Sequence, residues 1–161
     1  MRARFHLPGL TRNFSFNLIF AHFMKNCPHY FREGVEIASF YGVFPPAVWN
    51  GGRPVSGRCD ESFIKQVISA FNDMGIPVRL TFTNPCITED LLKDPFCNRL
   101  LELAYNDLNE IIVNSSLLED YIRRNFPKYK LTSSTCKRIT DPEALEAELG
   151  KDYSIVVVDY D

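Results

Sequence analysis

A chain of 161 residues is long enough to bury one real core, and 45% hydrophobic residues with 13 Phe, 7 Tyr and 1 Trp exclude a disordered protein. The 18 Lys and Arg set against 20 Asp and Glu leave a net charge of -2, which gives no nucleic-acid signal of the basic kind. The longest apolar stretch, Phe14–Met24, is too short to span a membrane and holds Asn17 and His22 inside it.

Arg2, Arg4 and Arg12 precede that stretch as they would in an exported leader. It lacks a clean apolar centre, and no small-x-small cleavage site follows, so a cytoplasmic protein is expected. Cys27, Cys59, Cys86, Cys97 and Cys136 are odd in number and spread out, which reads as reduced thiols. Over Phe14–Phe31 the residues Phe16, Phe20 and Phe23 fall roughly on one helical face, with Asn13 or Ser15 as cap and Pro28 disturbing the last turn. Residues 1–34 are therefore expected to form a helical segment ahead of the first strand.

From there strands and helices alternate over residues 35–161, in a single α/β domain. The first strand-like run is Val35–Gly42. A long connection, Val43 to Cys59, leads to a helix over Asp60–Met74, which Asp60 or Ser62 caps and Gly75 stops. Val78–Thr83 alternates Val, Leu and Phe with Arg and Thr, and Asn84-Pro85 ends it sharply. A helix from Pro95 to about Tyr105, a strand Glu110–Asn114 and a helix Leu117–Phe126 follow. Lys130–Ser133 is the next strand, Asp141-Pro142 starts the last helix, and Ser154–Asp159 is the most strand-like run of all.

Strands separated by helices point to β-α-β units and a parallel sheet. The expected architecture is a partial, TIM-like barrel of about five strands, the leading part of a longer barrel. A doubly wound five-stranded parallel sheet is the alternative. Glu36 and Arg79, near the starts of neighbouring strands, are expected to pair on the concave side.

In either architecture the carboxyl ends of the strands form the functional face. Tyr41, Thr83, Asn84, Asn114, Ser133 and Ser134 stand at those ends, with side chains suited to binding and orienting a ligand. Asp159 is the carboxylate at a strand end and so the candidate acid, base or metal ligand. The loop Trp49-Asn50-Gly51-Gly52-Arg53 carries two readings. Its glycines would let backbone N–H groups approach an anion helped by Arg53, or the segment is a turn whose Trp packs over the sheet. His6, His22 and His29 all precede the first expected strand, which argues against a histidine relay on this face. Cys59, Cys86 and Cys136 follow strands but lack metal-ligand spacing, so no metal is assigned.

The segments Glu36-Ile-Ala-Ser-Phe-Tyr-Gly42, Trp49-Asn-Gly-Gly-Arg53, Val78-Arg-Leu-Thr-Phe-Thr-Asn84, Ile111-Ile-Val-Asn-Ser115 and Leu131-Thr-Ser-Ser-Thr135 together resemble a group of bacterial proteins from anaerobes. That group in turn is distantly similar to the collagenase-like peptidase and hydroxylase barrel superfamily. The resemblance implies a barrel and its face, and no peptidase motif is seen. Members of the group look longer, with a cysteine-rich segment past the point where this chain stops. In the hydroxylase branch cysteines hold an iron–sulfur cluster; such a cluster would belong only to a longer form, and no ligand carries over onto these positions.

Two functions follow as expectations. One is the N-terminal part of a barrel enzyme with a small-molecule or nucleotide-containing substrate at the strand ends. The other is a non-catalytic ligand-binding or interaction module. The open edge of the last strand is expected to favour self-association.

Overall fold

Each strand lies beside its neighbour in the chain. The computed structural model describes residues 2–52 and 56–159, and its sheet runs β1-β2-β3-β4-β5-β6 with every pair parallel. The strands are β1 (Ala3–Pro8), β2 (Val35–Gly42), β3 (Val78–Phe82), β4 (Glu110–Val113), β5 (Lys130–Ser133) and β6 (Ile155–Val156). Between them run α1 (Phe14–Asn26), α2 (Glu61–Asn72), α3 (Pro95–Ala104), α4 (Ser116–Asn125) and α5 (Pro142–Leu149). Right-handed crossovers that all step the same way put every helix on one face, and the sheet curls around its bare face as a half-barrel. A doubly wound sheet needs a point where strand order reverses, and this order has none.

The helices begin where short polar side chains cap them. Asp60 accepts from the Phe63 amide at 2.8 Å, Asp94 from Cys97 at 2.7 Å and Asp141 from Ala144 at 2.8 Å. Pro95 and Pro142 occupy the first turns of α3 and α5, where no amide donor is needed. In α2 the apolar stripe Ile64, Val67, Ile68 and Phe71 is buried against the sheet. The core lies between the layers, with Phe40, Leu80, Phe82, Ile111, Val113 and Leu131 meeting Phe71, Leu100, Leu118 and Ile122.

Four expectations are corrected. The N-terminal segment is not wholly helical, because Ala3–Pro8 is a strand and makes the sheet six-stranded rather than five-stranded. The first helix stops at Asn26, and Pro28 opens a separate 3-10 turn over Pro28–Tyr30. The last strand pairs only through Ile155 and Val156, opposite Thr132 and Ser133, although Ser154–Asp159 is apolar enough for more. Glu36 and Arg79 do not pair. Tyr41, five residues after Glu36, is the register partner of Arg79, so stagger separates the two levels by roughly 15 Å. Glu36 instead meets its own register partner Arg4 at 2.6 Å, and Arg79 meets Glu110 at 2.6 Å.

Candidate ligand-binding cleft

Alternation along the strands decides what faces the hollow. Leu80 and Phe82 go to the core, so Arg79 and Thr81 face inward; Ile112 and Thr132 stand level with Thr81 on the next two strands. On β2 the register shifts by one residue opposite Phe5 and His6, which places Ser39 beside His6. The result is an open cleft of about 1630 Å³ at the carboxyl side of the sheet. Its lining includes His6, Tyr41, Asn50, Arg79, Thr81, Thr83, Thr132 and the buried Ser134, and the exposed Arg12 and Arg58 stand at its rim.

The β1–α1 loop is tied down over this end. Leu10 N–H donates to the Tyr41 carbonyl at 3.1 Å, and Thr11 Oγ1 to the Val43 carbonyl at 2.9 Å. The buried Asn17 amide reaches back to the Pro8 carbonyl at 3.1 Å. Gly9 makes the turn with φ +81°, a backbone shape that side chains disfavour. These bonds fix where Arg12 projects from the loop.

His6 is the titratable group best placed for chemistry. Its Nδ1 lies 2.8 Å from Ser39 Oγ, and Ser39 is fully buried. Burial lowers the His6 pKa from 6.5, and the charges of Arg79 and then Arg4 lower it further. At neutral pH it is thus an uncharged imidazole whose one nitrogen is engaged; Nε2 makes no hydrogen bond among the described residues. Two further polar atoms of the cleft residues, Arg79 Nε and Thr132 Oγ1, are buried without a hydrogen-bond partner among the described residues. Buried polar atoms left unpaired are uncommon and costly. Both belong to side chains that line the same cleft.

The residues expected at the site separate into groups. Tyr41, Asn50, Gly52, Thr83 and Ser134 line the cleft together. Asn84 and Asn114 are used to fasten loops: Asn84 donates to the Val48 carbonyl at 2.8 Å and Asn114 to the Thr83 carbonyl at 3.3 Å. Ser133 points to the helical side and donates to Glu148 at 2.5 Å. Asp159 does not line the cleft; it lies past β6 with Arg138 Nε at 3.5 Å. Arg53 falls outside the described residues.

Trp49 and Gly51 pack their loop against the end of β3. Trp49 is fully buried, edge-on to Phe82 and Tyr121, and its Nε1–H donates to the Leu91 carbonyl at 2.7 Å. Gly51 lies so close to the end of β3 that an added Cβ would stand 2.3 Å from the Thr83 carbonyl oxygen. The Asn84 amide also donates to the Trp49 carbonyl at 2.9 Å. The segment is therefore a packed strap over the strand end, where Gly51 allows the close backbone approach.

The histidine was hidden because its strand was. Ala3, Phe5 and Leu7 alternate with Arg4 and His6, a period of two that marks a strand, but the arginines suggest a leader and Pro8 cuts the pattern short.

The cysteines do not fit a cluster. Cys97 is buried in the core and Cys59 gives its thiol to the Pro45 carbonyl at 2.9 Å, whereas Cys86 and Cys136 are exposed. Among the described residues no three of His, Cys, Asp and Glu converge to hold a metal ion. Nor is any described helix long and apolar enough to cross a membrane.

No protein-family model and no curated protein matches this chain. Among solved structures, the U32 peptidase Mk0906 is similar in fold, with a TM-score of 0.61 at 13% sequence identity. The match covers 99% of this chain and 59% of that one, so the chain spans well under two thirds of its neighbour's length. At this identity the likeness is one of fold.

Proposed function

We propose that this chain is the substrate-binding portion of a barrel enzyme whose ligand is a small, hydroxyl-bearing anion, a mononucleotide or sugar phosphate in character. The observation that carries the reading is the convergence of His6, Tyr41, Thr81 and Thr132, from four different strands, beneath a rim holding Arg12 and Arg58. Hydroxyls bind and orient sugar-like groups, and the rim arginines suit a phosphate or carboxylate. The Glu110 carboxylate near the floor is already neutralised by Arg79. The fold likeness to a U32 peptidase supports an enzyme-like scaffold.

His6 is the group that would move a proton. Held by Ser39 and uncharged at neutral pH, its imidazole can accept a proton from a ligand hydroxyl. Ser39 is too deeply buried to attack a substrate, so its hydroxyl orients the ring. Adenosine monophosphate and inorganic phosphate are the probes, read by thermal shift and by calorimetry. Binding should weaken about tenfold or more in Arg12→Ala and in Thr132→Val. Equal binding by both variants and the parent would refute the assignment of the cleft.

A further inference from the structure

Ser134, Thr135 and Cys136 form one wall of the cleft, and this short wall is held from behind. Ser133, the last residue of β5, and Lys137, the last of the 3-10 turn Thr135–Lys137, bracket it. Both send their side chains to the helical side, where they end on one carboxylate oxygen of α5. Ser133 Oγ and Lys137 Nζ each donate to Glu148 Oε1 at 2.5 Å. The other oxygen, Oε2, accepts from Lys151 Nζ at 2.7 Å.

The Lys137 ammonium has further partners on the same side. It donates to the Tyr153 hydroxyl at 2.7 Å and stands over that ring at 4.8 Å. The Tyr153 hydroxyl in turn donates to Glu119 on α4, whose Oε2 lies 3.6 Å from Lys137 Nζ. Arg123 Nε donates to Glu119 Oε1 at 3.1 Å. Glu119, Lys137 and Glu148 are all largely withdrawn from solvent. Charge-assisted bonds are strong and a buried charge that loses its partner is costly, so these groups make a stiff post.

The start of the wall is fixed to β4 as well, by the Ser134 N–H donating to the Val113 carbonyl at 3.0 Å. At the far end Thr135 Oγ1 reaches the Val158 carbonyl at 3.4 Å, and the exposed Arg138 lies 3.5 Å from Asp159. Lys137 is the tie of this end that enters the buried helical layer.

We infer that Lys137 is a positioning residue for the cleft: clasped by Glu148 together with Ser133, it fixes the place from which the Ser134 and Thr135 hydroxyls meet a ligand. Lys137 does not line the cleft itself. What the wall contacts rests on the ligand reading above, whereas the clasp is a property of the fold alone. A wall released from it would have to be ordered anew at each binding event, which weakens binding.

The test compares two lysines that serve the same carboxylate. Lys137→Met removes the tether and leaves Glu148 with Lys151 and Ser133; Lys151→Met removes the other ammonium and leaves the wall tethered. Hydrogen exchange of the full chain is read by mass spectrometry. The amides of residues 134–138 should exchange about tenfold or more faster in Lys137→Met and at the parent's rate in Lys151→Met, with α2 unchanged as the check on folding. Tyr153→Phe keeps the ring, removes one Lys137 partner and should loosen the same amides by a smaller factor; it decides the matter should Lys137→Met not fold. Adenosine monophosphate, titrated by calorimetry, should bind about tenfold more weakly to Lys137→Met than to the parent or to Lys151→Met. Exchange unchanged in Lys137→Met and Tyr153→Phe would overturn the inference. So would equal loosening in Lys151→Met, or a loosened wall that binds adenosine monophosphate as well as the parent does. A parent that binds no adenosine monophosphate would instead refute the ligand assigned to the cleft, and the exchange contrast alone would then uphold or overturn the clasp.

Discussion

Arg79 and Glu110 stand directly opposite each other on β3 and β4, with Nη2 2.6 Å from Oε2 and both side chains largely withdrawn from solvent. Neither charge has enough water to stand alone, so the pair is an obligation of the fold more than a source of stability. Glu110→Ala should cost about 3–5 kcal/mol by urea denaturation because it strands the guanidinium. Replacing both residues by Met should cost less than the single change. A double variant worse than Glu110→Ala would refute this account.

Trp49 should report on the core rather than on the cleft. As the sole Trp and fully buried, it should emit at short wavelength in the native state and shift to the red on unfolding. Trp49→Ala should lose about 3–5 kcal/mol, the cost of a large cavity. Red-shifted native emission would show that the ring is not where the packing puts it.

Neighbouring glycines should behave oppositely. An added Cβ at Gly51 meets β3-end backbone at 2.3 to 2.6 Å, whereas at Gly52 the nearest atom is the Asn50 side-chain oxygen at 3.5 Å. Gly51→Ala should lower the melting temperature clearly and Gly52→Ala barely, as measured by scanning calorimetry.

Glu148 makes the α5 end sensitive to acid. Burial pushes its pKa up, but hydrogen bonds from Lys137, Lys151 and Ser133 prevail and hold it at about 2, below the ordinary 4.5. A depressed carboxylate stabilises the fold fully above its unfolded value, and that contribution is lost as pH falls through about 2. Glu148→Gln should therefore be less stable than the parent at neutral pH, and the gap should narrow between about pH 4.5 and pH 2 in urea titrations. A gap that stays constant across that window would rule the carboxylate out as the cause.

His6 carries the reverse sign of pH dependence to a paired histidine. Its folded pKa lies below 6.5, so the unfolded chain takes a proton first and stability falls as pH drops below that value. Titration by NMR should place His6 below 6.5, and a bound phosphate near the ring should raise it. An unshifted His6 on saturation with phosphate would place the anion elsewhere.

Period-two runs flanked by helical stripes made β2 to β5 legible from the chain, as did the caps at Asp60 and Asp141. What could not be read is stagger. Whether Arg79 meets Glu36 or Glu110 depends on how far neighbouring strands slide, which no single strand encodes. The same limit hid which strand-end hydroxyls face inward: Ser133 and Ser134 are adjacent, and one serves Glu148 while the other lines the cleft. Asn, Ser and Gly at strand ends are equally suited to fastening a loop and to holding a ligand, so Asn84 and Gly51 could be assigned only from their contacts.

Because every strand pairs with its predecessor, the protein can be built in the order in which the ribosome delivers it. Ala3 must wait for Val35, but thereafter each new strand finds its partner already in place, as Lys130 finds Glu110 and Ile155 finds Thr132. Each completed β-α unit is thus the template for the next, and no earlier pairing has to be undone to admit a later one. Shortening from the carboxyl end should remove whole units and leave the ladder behind them intact, whereas loss of β1 withdraws the first template and His6 with it.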